Sequence, residues 1–170
     1  MERKEVITIK GNPLTLVGNE VKVGDKAPDF KVLDGALNEV KLSDFKGKIK
    51  VISVTPSLDT PVCDMQLKRF DKEATSLSDD VAMINISVDL PFAISRFCTT
   101  NEISKAKAYS DHKDLSFGQN YGLIIKELRL LARAIVIIDR EDIIRSFEVV
   151  SEVTNHPDYD KALNTLKQLV

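Results

Sequence analysis

The sequence predicts an α/β fold, because strand and helix patterns alternate along the chain. Two apolar runs of strand length, residues 81–88 and 134–138, are nearly continuous, which is typical of central strands covered on both faces. The length of 170 residues fits one domain with a sizeable core. Since no repeat, low-complexity tract or Pro/Gly-rich linker divides the chain, we expect residues 1–170 to form a single domain.

The first elements are short strands separated by turn residues. Residues 6–10 and 14–17, joined by Gly11-Asn12-Pro13, predict an N-terminal β-hairpin within residues 1–18. Residues 30–33 and 39–42 predict two further strands on either side of the turn at Asp34-Gly35.

The next strand leads directly into an amphipathic helix. Residues 49–54 predict the strand, and Leu67, Phe70 and Ala74 fall on one helical face at steps of three and four. Thr60 suits the N-cap, and Pro61 suits the first helical position because its missing N–H would have no helical partner there.

The second half of the chain continues the alternation. The strand at residues 81–88 is followed by a helix that Asp89 could cap and Pro91 could open. The strand at residues 134–138 and residues 143–149, separated by the turn at 139–142, predict a closing hairpin. A terminal helix follows, placed to begin at Pro157, with an apolar stripe of Ala162, Leu163, Leu166 and Leu169.

Cys63 is the strongest candidate for chemistry. Counting from Thr60 places it at position N3, near backbone N–H groups without helical partners and near the positive end of the helix dipole, which favours thiolate over thiol. The Thr60 hydroxyl, directed toward the N3 backbone, would lie close to the thiol. We expect the carboxylate of Asp64 to point to solvent. The competing interpretation is a small buried cysteine that begins a helix.

Cys98 and Arg133 are the other candidates from the residues alone. Cys98 shares a helical face with Ile94. Its thiol could approach Cys63 across the top of the sheet, or it could be an ordinary buried helical cysteine. Arg133 stands at the entrance to a buried strand. Either it reaches solvent from the strand end, or its guanidinium lies beside Cys63 and stabilises negative charge.

Composition argues against several classes of partner and site. The net charge is −2 and there is no basic patch, so we expect neither a nucleic-acid nor a membrane partner. The N-terminus lacks the apolar stretch of a secretory signal, and we expect a cytoplasmic protein. Two cysteines in such a protein favour catalytic, redox or metal roles over a permanent crosslink.

Cofactor and metal sites lack their usual signatures. The two cysteines and two histidines come from four separate segments without C-x-x-C spacing, and there is no glycine-rich phosphate loop. We therefore expect neither a metal nor a nucleotide. The hypothesis of a Cys-His hydrolase also has little support, because no residue near either histidine marks that histidine as a general base.

The run from Pro56 to Cys63, PSLDTPVC, resembles the P-x-x-x-T-x-x-C active-site motif of the peroxiredoxins, and most closely their thiol peroxidase subgroup. The likeness extends nearly end to end through the motifs KGNP (10–13), DLPFA (89–93), SRFC (95–98) and LARA (131–134). Several motifs in the right order are far more specific than one alone.

This resemblance implies a thioredoxin-like fold, with a central mixed sheet flanked by helices, and a division of labour among the candidates. Cys63 would be the peroxidatic cysteine and Cys98 the resolving cysteine of the same chain. Pro56 would shield the thiolate from water, Thr60 would hydrogen-bond the sulfur and the peroxide, and Arg133 would polarise the peroxide.

The family also implies a reaction and its partners. Hydrogen peroxide and alkyl hydroperoxides, including lipid-like ones, would be reduced without a metal or organic cofactor. Thioredoxin would be the reductant, and the protein would be a homodimer. We expect oxidation to unwind locally the segments that carry the two sulfurs.

Two other functions use the same residues. A peroxide sensor would pass its oxidation state to a partner protein and turn over little substrate. A general disulfide oxidoreductase would be expected to carry a C-x-x-C pair, which is absent.

Overall fold

The chain forms eleven strands and four α-helices. The computed structural model describes all 170 residues. The strands are β1 (Glu2–Ile9), β2 (Asn12–Val17), β3 (Lys31–Leu33), β4 (Glu39–Lys41), β5 (Ile49–Val54), β6 (Val81–Ser87), β7 (Lys107–Ser110), β8 (Ile124–Ile125), β9 (Leu130–Leu131), β10 (Ala134–Ile138) and β11 (Ile144–Val149). The helices are α1 (Pro61–Ala74), α2 (Pro91–Thr100), α3 (Ser116–Tyr121) and α4 (Tyr159–Leu169), with one 3-10 turn at Leu42–Phe45.

The larger sheet has seven strands in the order β11-β10-β5-β6-β7-β3-β4. β5, β6 and β7 are parallel neighbours, and the remaining pairs are antiparallel, so the sheet is mixed. Every residue of β5 and β10 is buried. This confirms the prediction of an α/β fold whose central strands are covered on both faces.

Each face of this sheet carries its own core. One core packs α1, α2 and α4 against the sheet through Leu67, Phe70, Ile94 and Leu166. The other lies under α3 and the smaller sheet, whose strand order is β1-β2-β8-β9. The two cysteine-bearing helices, α1 and α2, therefore pack on the same face. None of the helices is long and apolar enough to reach across a lipid bilayer.

The N-terminal hairpin is present, but its turn is one step earlier than predicted. Ile9 pairs with Asn12, so Lys10 and Gly11 form the two-residue loop while Asn12 and Pro13 already belong to β2. Both loop residues have positive φ (49° and 81°), as a type I′ turn requires.

Two helix starts also differ from the prediction. The N-cap of α2 is Leu90, not Asp89, because the Asp89 carboxylate accepts hydrogen bonds from residues outside the helix. The terminal helix α4 begins at Tyr159 rather than at Pro157. Asp158 is its N-cap and accepts a hydrogen bond from the Lys161 backbone N–H at 3.0 Å.

Candidate active site

Cys63 lies at N3 of α1, directly after the carboxyl end of β5, as the sequence predicts. Thr60 is the N-cap residue, Pro61 occupies the first helical position, and the Cys63 side chain is completely buried. The Asp64 carboxylate turns to Lys68, one turn along the helix, at 2.6 Å and stays partly exposed. The Cys63 sulfur therefore lies in the first helical turn, and the charge of the neighbouring Asp64 is paired with Lys68.

The Thr60 hydroxyl does not take the predicted capping position. It donates a hydrogen bond to the Ser57 carbonyl oxygen at 2.9 Å, and no side-chain capping bond is made to α1. The turn at residues 57–60, closed by the Thr60 N–H to the same carbonyl, competes successfully for the hydroxyl hydrogen. Its oxygen keeps its capacity to accept.

Arg133 is buried, with 2% of its surface exposed, so it does not reach solvent from the strand end. Its Nε donates to the Val153 carbonyl at 2.9 Å, and Nη1 donates to Gln66 Oε1 at 2.9 Å. Because Gln66 follows Cys63 by three residues on α1, the two side chains share a helical face. The guanidinium is thus held beside the turn that carries Cys63.

Gln66 is a site residue that sequence reasoning missed. It is fully buried, and its Nε2 donates to Ser53 Oγ at 2.7 Å, which leaves Oε1 directed at Arg133. A glutamine at the i+3 position from Cys63, next to the buried stripe of Leu67 and Phe70, was the available signal. A polar side chain on the apolar face of a helix needs a buried partner.

A cavity of about 290 Å³ opens beside these groups. Pro56, Thr60 and Arg133 all contribute to its lining, as do Pro61 and Val62, the two residues that precede Cys63. The rest of its wall comes from Ile9, Ser57, Ile125, Leu128, Leu130, Val153 and Thr154. The structure therefore brings three of the predicted site residues to one mostly apolar pocket, next to the buried Cys63.

Asp89 joins the loop before α1 to the start of α2. Its carboxylate accepts hydrogen bonds from Ser57 Oγ, the Leu58 N–H and Ser87 Oγ, each at 2.8 Å. The residue that precedes the Cys98 helix is thus tied directly to the loop that carries Pro56 and Thr60.

Cys98 is half-buried on α2, in the same core as α1, and neither cysteine is in a disulfide. Burial raises the pKa of the Cys98 thiol, and the nearby Asp71 carboxylate raises it further. Asp71 Oδ1 accepts the Lys105 and Ala106 N–H groups at 2.7 and 2.8 Å, which ties α1 to the segment after α2.

Tyr159 completes the surroundings of the site. Its hydroxyl lies 2.9 Å from His156 Nδ1, and the Arg69 guanidinium lies 5.0 Å from the centre of its ring. Burial raises the pKa of Tyr159, while Arg133 and Arg69 act in the opposite direction. His156 thus has a tyrosine partner, and no group of three His, Cys, Asp or Glu side chains is arranged to hold a metal ion.

The largest cavity lies elsewhere. A groove of about 590 Å³ is lined by Lys48, Val81 and Lys107, near the amino-terminal ends of β5 and β6. Cys63 follows the carboxyl end of β5, so this groove is at the opposite edge of the sheet.

Comparison with known proteins finds a redox family and thiol peroxidases among the similar sequences. Residues 22–163 match the Redoxin family. The chain is 57% identical to a thiol peroxidase of Halalkalibacterium halodurans over 161 residues, covering 95% of this chain and 96% of the relative. It is 54% identical to a thiol peroxidase of Bacillus subtilis over 164 residues, covering 96% and 98%.

A solved structure gives the same result for the fold. The crystal structure of a peroxiredoxin-like protein from Aquifex aeolicus superposes with a TM-score of 0.91 at 38% identity, covering 98% of each chain. The predicted thioredoxin-like fold with an N-terminal hairpin is thereby confirmed.

Proposed function

The chain belongs to the Redoxin family as a thiol-dependent, peroxiredoxin-type peroxidase, and from that premise we propose that Cys63 reduces hydrogen peroxide and alkyl hydroperoxides. The observation that carries the assignment is the buried Arg133 guanidinium, held by Val153 and Gln66 beside the turn of Cys63. A fixed cation at this position stabilises negative charge as it develops on oxygen.

The first step is attack of the Cys63 thiolate on the terminal oxygen of the hydroperoxide. An S–O bond forms and the O–O bond breaks, giving a Cys63 sulfenic acid, while the departing oxygen takes up, through solvent, the proton that the thiol lost on ionising and leaves as an alcohol or water. Arg133 supports the charge on the departing oxygen. Pro56, buried at the pocket, keeps water from the sulfur, and Thr60 orients the peroxide.

The second step is resolution by Cys98. Its thiol attacks the sulfenic sulfur, an S–S bond forms and water leaves, so Cys63 is protected from further oxidation. Thioredoxin then reduces the disulfide by thiol–disulfide exchange and is itself oxidised. The two thiols lie on separate helices, and we expect α1 and α2 to unwind locally as the disulfide forms.

The pocket supports the proposed substrate class. Its lining is largely apolar beyond Arg133, and about 290 Å³ accommodates an organic group on the peroxide oxygen. We therefore include alkyl and lipid-like hydroperoxides beside hydrogen peroxide.

The same proposal includes a homodimer. Leu37, Leu90 and Phe92 are large apolar side chains, each more than half exposed, and they line one groove. Contiguous exposed apolar surface is one feature of protein interfaces, so we place the dimer contact at this groove. Sedimentation velocity tests the dimer, and a monomer at micromolar concentration would exclude it.

Cysteine variants test the reaction. We expect Cys63→Ser to abolish peroxide consumption, and Cys98→Ser to complete one turnover but lose recycling by thioredoxin and its reductase. Consumption at the parental rate by Cys63→Ser would refute the mechanism. If the parent protein oxidised once and stalled in the coupled assay, the peroxide-sensor alternative would replace the enzyme.

Mass spectrometry tests the resolving step. Peroxide-treated parent protein should lose two hydrogens and yield a peptide crosslinked through Cys63 and Cys98. A crosslink between two chains would contradict the intramolecular form of the step.

A further inference from the structure

The Glu152 carboxylate binds four donors from two separate segments. Oε1 accepts Thr8 Oγ1 and the Gly11 N–H, both at 2.9 Å, from the N-terminal hairpin. Oε2 accepts the Thr154 N–H at 2.9 Å and Thr154 Oγ1 at 2.6 Å, from its own loop after β11. Hydrogen bonds to an ionised acceptor are stronger than neutral ones. One side chain therefore fastens the tip of the hairpin to residues 151–154.

The backbone continues the same junction. The Thr8 N–H donates to the Ser151 carbonyl, and the Val153 N–H donates to the Thr8 carbonyl, each at 2.8 Å. These two bonds form an isolated parallel bridge between Thr8 and Glu152. The carbonyl oxygen of Val153 in turn accepts a hydrogen bond from Arg133 Nε at 2.9 Å.

This junction is one wall of the pocket. Ile9 from the hairpin and Val153 and Thr154 from the loop all line the cavity that Arg133 and Thr60 share. Ile9 is next to Thr8, and both loop residues follow Glu152 directly. A displaced junction would move this wall away from the organic part of a bound hydroperoxide and would also release one of the two contacts that orient Arg133.

We propose that Glu152 is a positioning residue that sets the preference of the pocket for organic hydroperoxides by clamping the N-terminal hairpin to residues 151–154. The inference rests on the proposed function of the pocket as the hydroperoxide site. Glu152 touches neither the peroxide nor Cys63, and it acts through Ile9, Val153 and Thr154.

The charge of Glu152 does not change over the ordinary pH range. The hydrogen bonds from Thr154, together with those from Gly11 and Thr8, lower the pKa of Glu152 to about 2. The carboxylate therefore stays ionised, with acceptor capacity on both oxygens. A glutamine would present its one oxygen to only one of the two segments and its NH₂ group to the other, so Glu152→Gln keeps the shape of the side chain but only part of the clamp.

The experiment compares two substrates in three variants. Glu152→Ala, Glu152→Gln and the control Glu2→Gln are assayed with cumene hydroperoxide and with hydrogen peroxide, by steady-state KM and kcat and by the single-turnover rate of Cys63 oxidation. Glu2 lies on the same hairpin and pairs with Lys126, and it does not line the pocket.

The clamp predicts a loss that depends on the substrate. For Glu152→Ala we expect kcat/KM to fall about tenfold with cumene hydroperoxide, chiefly through KM, and only about two- to threefold with hydrogen peroxide. Glu152→Gln should show smaller losses of kcat/KM, again larger with cumene hydroperoxide than with hydrogen peroxide. Glu2→Gln should match the parent with both peroxides.

Two outcomes would overturn the inference. Equal losses with both peroxides in Glu152→Ala and Glu152→Gln would indicate a merely structural role, and parental kinetics in both would indicate no role. If Glu152→Ala fails to fold, the isosteric Glu152→Gln decides alone. Failure of the parent protein to consume either peroxide would instead refute the proposed function, so the two failures are distinguishable.

Discussion

At the scale of single residues, Thr60 is where the geometry refines the chemistry most. Its hydroxyl hydrogen is committed to the Ser57 carbonyl, so the oxygen can accept a hydrogen bond but cannot at the same time donate one to the Cys63 sulfur. The peroxide has an O–H to donate. We therefore propose that Thr60 accepts that hydrogen and orients the terminal oxygen toward the thiolate.

A pair of variants at Thr60 tests this assignment. Thr60→Val removes the acceptor, and we expect the single-turnover rate of Cys63 oxidation to fall about tenfold, which corresponds to one hydrogen bond of about 1.4 kcal/mol. Thr60→Ser keeps the hydroxyl and should retain most of the rate. Oxidation of Thr60→Val as fast as that of Thr60→Ser, measured by stopped flow, would contradict the role.

The sequence allowed prediction of the site residues whose positions are defined by a local pattern. Cys63 at N3 and Arg133 at the entrance to a buried strand both follow from positions within one element. Gln66 and Glu152 were missed because their partners come from distant segments: Arg133 is 67 positions from Gln66, and Thr8 is 144 positions from Glu152. Local periodicity could place Gln66 on the buried face of its helix, but it could not identify Arg133 as the partner, and it gave no signal for Glu152.

At the scale of elements, α2 is held at both ends by carboxylates from outside the helix. Asp89, just before its N-cap, binds the loop that precedes α1, and Asp71 of α1 binds the backbone that follows it. The Cys98 thiol lies between these two attachments. Any unwinding of α2 is therefore bounded by them, and the charge of Asp71 acts directly on the thiol.

Two substitutions of opposite sign test the electrostatics at Cys98. Burial is the main cause of its raised pKa, Asp71 raises it further, and Lys107 lowers it. Since the thiolate is the reactive form, Asp71→Asn should lower the pKa and speed alkylation of Cys98, while Lys107→Gln should raise the pKa and slow it. The rates are measured with iodoacetamide between pH 7 and 10 in a Cys63→Ser background.

The Asp71→Asn variant removes the charge but keeps the hydrogen bonds of the side-chain oxygen. An asparagine at position 71 keeps the Oδ1 acceptor for the Lys105 and Ala106 N–H groups, so the attachment of the segment after α2 is preserved. Shifts of the same sign in both variants would mean that loosened packing, rather than charge, controls the reactivity of Cys98.

The elements that the sequence predicts either are long enough to show a period or, like β3 and β4, flank a clear turn signal. β5 and β10 match the predicted bounds, and α1 begins at the predicted Pro61. β8 and β9 have two residues each, β7 has four and α3 has six, too few to establish a pattern. α3 is instead fixed by Asp111, whose buried carboxylate accepts the Phe117 and Gly118 N–H groups.

At the scale of the whole molecule, the proposed mechanism needs Arg133 to stay fixed at the sheet while the helices that carry the two cysteines move. Arg133 directly precedes β10, a strand that is buried throughout. Cys63 and Cys98 lie instead on helices that pack on one face of the sheet, each with its thiol free. Helices can unwind at their ends without disturbing strand pairing, so the disulfide that we propose could form while the sheet keeps its register.

Hydrogen–deuterium exchange tests this separation. On conversion to the disulfide form with one equivalent of hydrogen peroxide, we expect the first turn of α1 and the segment from Pro91 to Thr100 to lose protection, because the proposed mechanism unwinds both as the sulfurs meet. β5 and β10 should keep their protection, since their backbone bonds are buried on both faces. Cys98→Ser treated in the same way is the control, and it should show no loss in α2. Uniform loss of protection across the sheet, or a disulfide form as protected as the dithiol, would show that the cysteines meet by another route.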